Sequence, residues 1–140
     1  MLISTKGRYA LRLLVDLAGH RGQGTVSLGS MAARQGLSEK YLEAILKPLV
    51  RDSILEGTRG KGGGYRMLME PKDITLGRVL RLVEPSLGSV SCLKEGAEEC
   101  PRRDECPTLP LWQELNAVIF GFLDGKTLED LLTEERNQQI

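Results

Sequence analysis

The chain of 140 residues has few aromatic residues and no long hydrophobic run. Aromatic residues make up 4% of it, against 41% for all hydrophobic residues, which predicts an aliphatic and mostly helical core. A helix needs about 20 consecutive apolar residues to cross a bilayer, so no membrane span is predicted. The opening stretch MLISTKGRYALRLL is amphipathic and has no small-residue cleavage site. We therefore expect no secretion signal and a soluble cytoplasmic protein.

Several motifs of common enzyme and metal sites are also missing. The segment TRGKGGGY has Tyr65 where a dinucleotide-binding GxGxxG motif needs its last glycine. It has Gly62 where a Walker phosphate-binding loop needs Ser or Thr. No CxxC pair is present, which argues against a thiol–disulfide enzyme and against a four-cysteine zinc site. The chain is therefore not expected to be an enzyme.

The formal net charge of zero hides an uneven distribution. Residues 1–66 carry eleven Lys or Arg and five Asp or Glu, whereas residues 67–140 carry eight and fourteen. A basic half joined to an acidic half suggests that one part of the chain binds a polyanion. Uneven surface charge without a purpose is the alternative.

The basic half has the pattern of a helix-turn-helix followed by a hairpin. Apolar residues at helical spacing predict helices over residues 5–21, 28–35 and 39–53. Ser27 and Ser38 are the expected N-caps, and Gly36 forms the tight turn between the second and third helices. Two strand-like runs, ILEGTR and GYRMLM, flank GKGG, and three helices followed by such a ribbon outline a winged helix. Pro48 lacks an amide hydrogen, so we expect a kink or break near residues 44–47.

The acidic half predicts two more helices around a long loop. DITLGRVLRLVE is read as a helix that begins at Asp73 or Thr75, and residues 85–107 as a loop. PLWQELNAVIFGFLDG has apolar residues on two faces, so it can pack against its own domain and still need a partner. Thr127 and Asp130 resemble a capping box that opens a short last helix, and EERNQQI is expected to be a frayed tail.

The third helix and the hairpin tip carry the residues expected to read DNA. The first turns of a reading helix face base edges in the major groove. Carboxylates there accept hydrogen bonds from cytosine, and lysines suit phosphates or guanine. A thin basic hairpin tip suits a narrow minor groove, and its glycines permit close approach of phosphates. The predicted contacts are Lys40, Tyr41, Glu43, Ala44, Lys47, Arg59, Lys61, Gly62 and Gly63.

All three cysteines, Cys92, Cys100 and Cys106, lie in one charged segment, SCLKEGAEECPRRDECPT. Their odd number and the reducing cytoplasm argue against a disulfide framework. Iron–sulfur clusters are held by thiolates and tolerate irregular spacing. Three cysteines with a weaker or exchangeable fourth ligand would hold a labile cluster, which suits a sensor. Redox-active thiols, a zinc site, or no role remain alternatives.

Four segments resemble the IscR/NsrR/CymR family of bacterial winged-helix regulators: STKGRYAL, GLSEKYLEAIL, VRDSILEGTRGKGGGY and the cysteine loop. The resemblance runs from about residue 2 to residue 132 and implies a homodimer that binds operator DNA. It implies that Arg59 enters the minor groove, that Glu43 reads bases, and that the long helix after the cysteines crosses its counterpart in the other subunit. The expected organisation is a winged helix-turn-helix region (1–68), a connecting helix (69–86), a cysteine loop (87–107), a dimerisation helix with a short terminal helix (108–133), and a tail (134–140).

Members of this family with three cysteines in the loop resemble iron–sulfur sensors, and by analogy a 4Fe-4S cluster is favoured over 2Fe-2S. Such a cluster can be absent from an aerobically prepared sample. The family's usual fourth ligands are missing: Leu109 replaces its histidine, and Arg8 replaces an acidic residue of the first helix. His20 is a poor substitute because it lies near the end of the first helix. The candidates that remain are a group from the partner chain, an exogenous thiol or water, and four residues of the loop, Glu98, Glu99, Asp104 and Glu105.

Sequence alone leaves two alternatives to a cluster-controlled regulator. The first is a regulator of the same fold that is controlled by thiol oxidation or by a protein partner. The second is a thiol-redox or metal-carrier protein without specific DNA binding.

Overall fold

The computed structural model describes residues 3–138, which form six α-helices, a two-stranded antiparallel sheet and three short 3-10 turns. This is the mainly α architecture with a small β-wing that the sequence predicts. The turns lie at Pro71–Asp73, Ser91–Leu93 and Arg103–Glu105. The helices and strands in chain order are α1 (Thr5–Gly19), α2 (Leu28–Gln35), α3 (Glu39–Arg51), β1 (Leu55–Thr58), β2 (Gly64–Met67), α4 (Leu76–Val83), α5 (Leu109–Gly125) and α6 (Leu128–Gln138).

Serine and threonine caps begin the helices, largely where the sequence places them. Ser27 accepts a hydrogen bond from the backbone N–H of Ser30 at 3.1 Å, and Ser38 accepts one from Tyr41 at 3.2 Å. α2 ends at Gly36, whose φ of 67° lies in the left-handed region that glycine adopts readily. Of the two residues proposed to begin α4, Thr75 is the N-cap.

Of the kink or break predicted near residues 44–47, the break is wrong, because α3 continues from Glu39 through Pro48 to Arg51. The apolar stripe of α3 is completely buried on both sides of the proline, so packing fixes the path of the helix. Pro48 removes one hydrogen bond to the carbonyl of Ala44. Ala44 is exposed, so water can hydrate that carbonyl. The buried stripe consists of Leu42, Ile45, Leu46 and Leu49.

A third segment of the chain pairs with the two-stranded wing. β1 and β2 pair with Leu55 opposite Met67 and Thr58 opposite Gly64. Val26, just before α2, also pairs with Tyr65 of β2 through two backbone hydrogen bonds of 2.8 Å. A Cβ on Gly64 would lie 2.2 Å from the Val26 carbonyl oxygen, so this close approach requires glycine.

A single hydrophobic core packs α1 and α3 of the basic half against α4 and α6 of the acidic half. Helix α6 places Leu128 and Leu132 in the same buried cluster as residues of α1, α3 and α4. The predicted frayed tail is therefore wrong for residues 134–138, which continue α6; residues 139 and 140 lie outside the described part. Asp130 accepts a hydrogen bond from the Thr127 N–H at 2.8 Å, so the predicted capping contact is present.

Helix α5 packs against α4, and its end is tied to the start of α4. Two backbone hydrogen bonds of 2.9 Å join Leu76 to Lys126 and Leu128 to Ile74. Between α4 and α5, residues 85–107 form an open loop in which Leu87 is the buried residue. The loop is thus held mainly at its two ends.

Candidate functional site

The predicted reading residues of α3 share one exposed side of the helix. The Ser38 cap fixes the start of α3, and the buried stripe turns the opposite side toward solvent. Tyr41 is the exception, because it is half-buried and packs edge-to-face against Tyr9 of α1 with ring centres 6.4 Å apart. Its ring therefore also joins α3 to α1. The four exposed positions are Lys40, Glu43, Ala44 and Lys47.

The wing tip, residues 59–63, presents two exposed cations on a glycine turn. Arg59 and Lys61 are both exposed, and Gly60 and Gly62 have φ of 90° and 77°. The Gly63 N–H donates to the Gly60 carbonyl at 2.9 Å. A Cβ on Gly63 would lie 2.3 Å from the Thr58 carbonyl oxygen, so the turn itself requires this glycine.

A groove of about 670 Å³ separates α3 from the wing. Glu43 and Lys47 of α3 line one side, and Arg59 and Tyr65 of the wing line the other. Burial, followed by the negative charge of Glu43, raises the pKa of Tyr65. Tyr65 therefore stays a neutral hydrogen-bonding phenol in this groove at neutral pH. The sequence alone predicts no role for Tyr65, because its place across from Glu43 depends on how α3 and the wing pack.

The three cysteines line a single cavity of about 170 Å³ in the loop between α4 and α5. Cys92 is exposed, and Cys100 and Cys106 are half-buried. A single zinc ion holds its thiolates about 4 Å from one another. Within residues 3–138, no three His, Cys, Asp or Glu side chains form a group that could hold one metal ion. Three thiols that line one cavity are a donor set of the kind that holds an iron–sulfur cluster.

Cys106 stands at the start of α5. Its Sγ lies 3.4 Å from the Thr108 hydroxyl, and hydrogen bonds from that hydroxyl and from the backbone N–H groups of Thr108 and Leu109 lower the pKa of Cys106. Free N–H groups at a helix N-terminus favour anions. Cys106 is therefore prepared to act as a thiolate.

Two of the four acidic candidates for a fourth ligand line the cysteine cavity. Glu98 and Glu99 are part of its lining, whereas Asp104 and Glu105 are not. Glu99 forms an exposed ion pair with Arg103, with 3.9 Å between the charged atoms. Glu98 is thus the acidic side chain of the cavity with no ion pair among the described residues.

The other positions considered for a fourth ligand are engaged elsewhere or cannot ligate. The Nδ1 atom of His20 lies 2.7 Å from the Asp16 carbonyl oxygen at the end of α1. Arg8 is exposed on α1 and donates to the Thr5 hydroxyl. Leu109 does line the cavity, where its side chain offers no donor atom.

Helix α5 leaves one apolar stripe uncovered. Residues at spacings of four, three and four expose between 39% and 64% of their surface, and they are Leu111, Leu115, Val118 and Phe122. The second apolar face, Trp112, Ile119, Phe120 and Leu123, is half-buried. The two apolar faces predicted for this helix are therefore one packed and one open face. No helix within residues 3–138 has the length and hydrophobicity to span a membrane.

Both the sequence and the fold of this chain are similar to those of known transcriptional regulators. Residues 3–134 match the Rrf2 family, described as an iron-dependent transcriptional regulator. The chain is 36% identical to the HTH-type transcriptional regulator IscR of Aliivibrio salmonicida, over all of this chain and 82% of that protein. CymR, the global cysteine regulator of B. subtilis, is 37% identical with a TM-score of 0.75, covering 96% of this chain and 98% of CymR. IscR of T. potens is 35% identical with a TM-score of 0.75, covering 100% of this chain and 92% of that chain.

Proposed function

This chain belongs to the Rrf2 family of DNA-binding transcriptional regulators, and from that premise we propose that it is a homodimer whose operator binding responds to an iron–sulfur cluster held by Cys92, Cys100 and Cys106. Family membership agrees with the predicted winged-helix regulator that is not an enzyme, and it removes the carrier protein without DNA binding. The observation that carries the proposal is the single cavity that the three thiols line at the start of α5.

For DNA reading, α3 enters a major groove and the wing enters the adjoining minor groove. The exposed lysines Lys40 and Lys47 contact phosphates or guanine, while Glu43 accepts from a cytosine amine. Arg59 and Lys61 lie at the tip that reaches the minor groove, where negative potential is concentrated. Further contacts with DNA come from Tyr41, Ala44, Gly62 and Gly63.

The homodimer forms through the open stripe of α5. Contiguous apolar residues on a helix surface mark an interaction site, and a second copy of the same stripe is chemically complementary to it. We call the part of each subunit from α1 to β2 the winged head. Pairing of two α5 helices brings two winged heads together on one operator of roughly palindromic sequence. The protein works in the cytoplasm, where its thiols stay reduced.

The three thiolates are the ligands that a cluster would use, with 4Fe-4S favoured over 2Fe-2S by family analogy. When bound, the cluster supplies a reversible chemical state that reports iron, oxygen or redox conditions. The chain contributes the thiolates, and hydrogen bonds at the start of α5 favour the ionised form of Cys106. Cys106 lies two residues before the N-cap of α5, so a change in the loop acts directly on the start of that helix.

Glu98 is the proposed fourth ligand from within the chain. It lines the cavity beside the thiols, whereas Glu99 is held by Arg103. A carboxylate is a weaker cluster ligand than a thiolate, so the fourth position would exchange with solvent or an added thiol. Glu98→Gln should make the reconstituted cluster less stable, measured as faster loss of its visible absorption. Asp104→Asn, in the same loop but outside the cavity lining, is the matched control.

The test of the cluster proposal is purification without oxygen, followed by measurement of visible absorption, iron and acid-labile sulfide. We expect a coloured protein with close to equal iron and sulfide per subunit. A variant with all three cysteines changed to alanine should be colourless and should bind the operator with altered affinity. Colourless, iron-free wild-type protein under these conditions would exclude the cluster. Identical operator binding by both proteins would exclude its control of DNA binding.

Control by thiol oxidation is the second candidate, and the lowered pKa of Cys106 favours it. It requires a free thiolate rather than a metal-bound one. The same anaerobic preparation separates the two candidates, because a redox-controlled protein would be colourless and would change its operator affinity after mild oxidation. Control by a protein partner is a further alternative and would leave the isolated protein insensitive to both treatments.

A further inference from the structure

Helix α4 joins the reading helix to α5 through charged side chains spaced three residues apart. Residues at i and i+3 lie on neighbouring positions of a helix surface. Arg78, Arg81 and Glu84 follow this spacing, and each contacts a different helix. Together these contacts fix α4 against α3, α5 and α1.

Arg78 holds the end of the reading helix. Its Nε donates to the Asp52 carboxylate at 2.8 Å, and its Nη2 donates to the Asp52 backbone carbonyl at 3.2 Å. Asp52 is the C-cap of α3, where carbonyl groups without helical partners favour a cation. The guanidinium therefore supplies a hydrogen-bond donor to the C-cap carbonyl of α3 and fixes the end of that helix to α4.

Glu84 holds the start of α1. It is 8% exposed and accepts from both the N–H of Ser4 at 2.9 Å and the Ser4 hydroxyl at 2.8 Å. Ser4 is the N-cap of α1, where an anion is favoured. A Cβ on Gly7 would lie 2.0 Å from the Glu84 carboxylate, so only glycine permits this approach. The winged head is thus fixed to α4 at two helix ends.

Arg81 holds α5. Its two terminal nitrogens donate to the two oxygens of Asp124 at 2.5 and 3.0 Å, and its guanidinium lies 5.3 Å from the centre of the Phe120 ring. A Cβ on Gly77, four residues earlier on α4, would lie 2.0 Å from the Asp124 carboxylate. The forked ion pair fixes the rotation of α4 relative to α5, and the missing side chain at Gly77 leaves room for the Asp124 carboxylate.

We propose that the Arg81–Asp124 contact is a specificity determinant that fixes the angle between the winged head and α5, and so selects one half-site spacing in the operator. The inference rests on the proposed homodimer. Arg81 and Asp124 are positioning residues, because they lie between α4 and α5 and not on the reading surface. Each added base pair moves the second half-site along the axis and rotates it by about 35°. Two rigidly held heads therefore discriminate between spacers, whereas loosely held heads accept several.

The experiment selects two-part sites from random DNA with the wild-type protein and then measures Kd for a series of spacers. We expect the wild type to prefer one spacer by about tenfold or more over its neighbours. Asp124→Ala should reduce this preference to about threefold or less while leaving affinity for random DNA and for a single half-site unchanged. The exchanged pair, Arg81→Asp with Asp124→Arg, should restore part of the preference. Glu70→Gln, which breaks the exposed Arg21–Glu70 pair elsewhere, should change nothing.

The outcomes separate this inference from the homodimer proposal. A wild type that is monomeric or selects single half-sites overturns both. A wild type with a preferred spacer, together with a folded, dimeric Asp124→Ala that keeps the same preference, overturns the positioning role alone. If Asp124→Ala does not fold, Arg81→Lys keeps the charge but loses the forked geometry. An unchanged spacer preference in that variant also overturns the proposal.

Discussion

Replacing Arg59 with alanine should weaken DNA binding without weakening the fold. Arg59 is exposed at the wing tip, and within residues 3–138 no carboxylate forms an ion pair with it. The turn around it depends on glycine conformations and on the hydrogen bond from Gly63 to Gly60, which the substitution leaves intact. Any change in DNA affinity can therefore be assigned to the lost cation.

The magnitude follows from counting charges. A homodimer carries two copies of Arg59, and each phosphate neutralised contributes about 0.9 to the slope of log K against log salt. Loss of both cations should therefore flatten the slope by about 1.8. Across a fourfold increase in salt, from about 50 to about 200 mM, that change amounts to roughly a tenfold difference in affinity. The variant should be weakest relative to wild type at low salt.

The assay is fluorescence anisotropy with one operator duplex over a series of salt concentrations. Arg136→Ala, an exposed arginine on α6 away from the reading surface, should leave the slope unchanged. Arg59 should also confer a preference for A·T pairs under the wing, because A-tracts have a narrow minor groove with enhanced negative potential. A slope equal to the wild-type slope, in a variant that melts normally, would show that the wing tip does not approach DNA.

Single substitutions elsewhere test the wing, the open face of α5 and the Arg81–Asp124 pair. Gly64→Ala places a methyl group 2.2 Å from a backbone oxygen, so urea unfolding should show a free energy of unfolding lower by roughly 2 kcal/mol or more. Gly19→Ala is the control: its Cβ meets nothing within 4 Å, so it should cost no stability. Val118→Glu places a charge in the exposed stripe and should give a monomer in sedimentation. Gln113→Glu adds the same charge on the opposite side of α5 and should stay dimeric. A dimeric Val118→Glu would argue against the stripe as the dimer interface. The hydrogen bond from Arg81 lowers the pKa of Asp124 in the folded state, so its stabilisation is complete above the unfolded pKa of about 4 and is lost as pH falls through the lower folded pKa. The stability difference between wild type and Asp124→Asn should therefore be constant above about pH 5 and shrink below about pH 4, and a difference that persists in stronger acid would contradict the pairing.

Local signals in the sequence were sufficient for most of the fold. Helix caps depend on one side chain and a backbone N–H a few residues away, so Ser27 and Ser38 could be recognised from the sequence. The glycine-rich wing tip is equally local. The break expected at Pro48 was wrong because the buried stripe of α3 is a tertiary constraint that outweighs one missing hydrogen bond.

The site required information that the sequence does not carry locally. Glu84 and Ser4 are 80 residues apart, and Arg78 and Asp52 are 26 apart, so no short motif announces either contact. The clustering of the cysteines was visible, but which acidic residues share their cavity was not. The loop folds so that Glu98 faces the thiols while Asp104, only two residues from Cys106, does not line the cavity.

The two ends of α5 have different attachments, and this difference suggests how a loop signal could reach DNA. In its first half, α5 meets the cysteine loop through Cys106, just before the helix, and through the buried Asn116, which accepts from the Ser89 N–H at 2.7 Å. Near its end, α5 is held by Arg81 and by the backbone bonds to the start of α4. Ordering the loop would therefore act on one half of α5 while the other half stays fixed to the winged head. A coupling of about 1–3 kcal/mol, typical of regulated proteins, changes affinity roughly 5- to 150-fold. Such a change needs only a small reorientation of two heads that are each rigid, so cluster state should alter two-site operator binding strongly and single half-site binding very little.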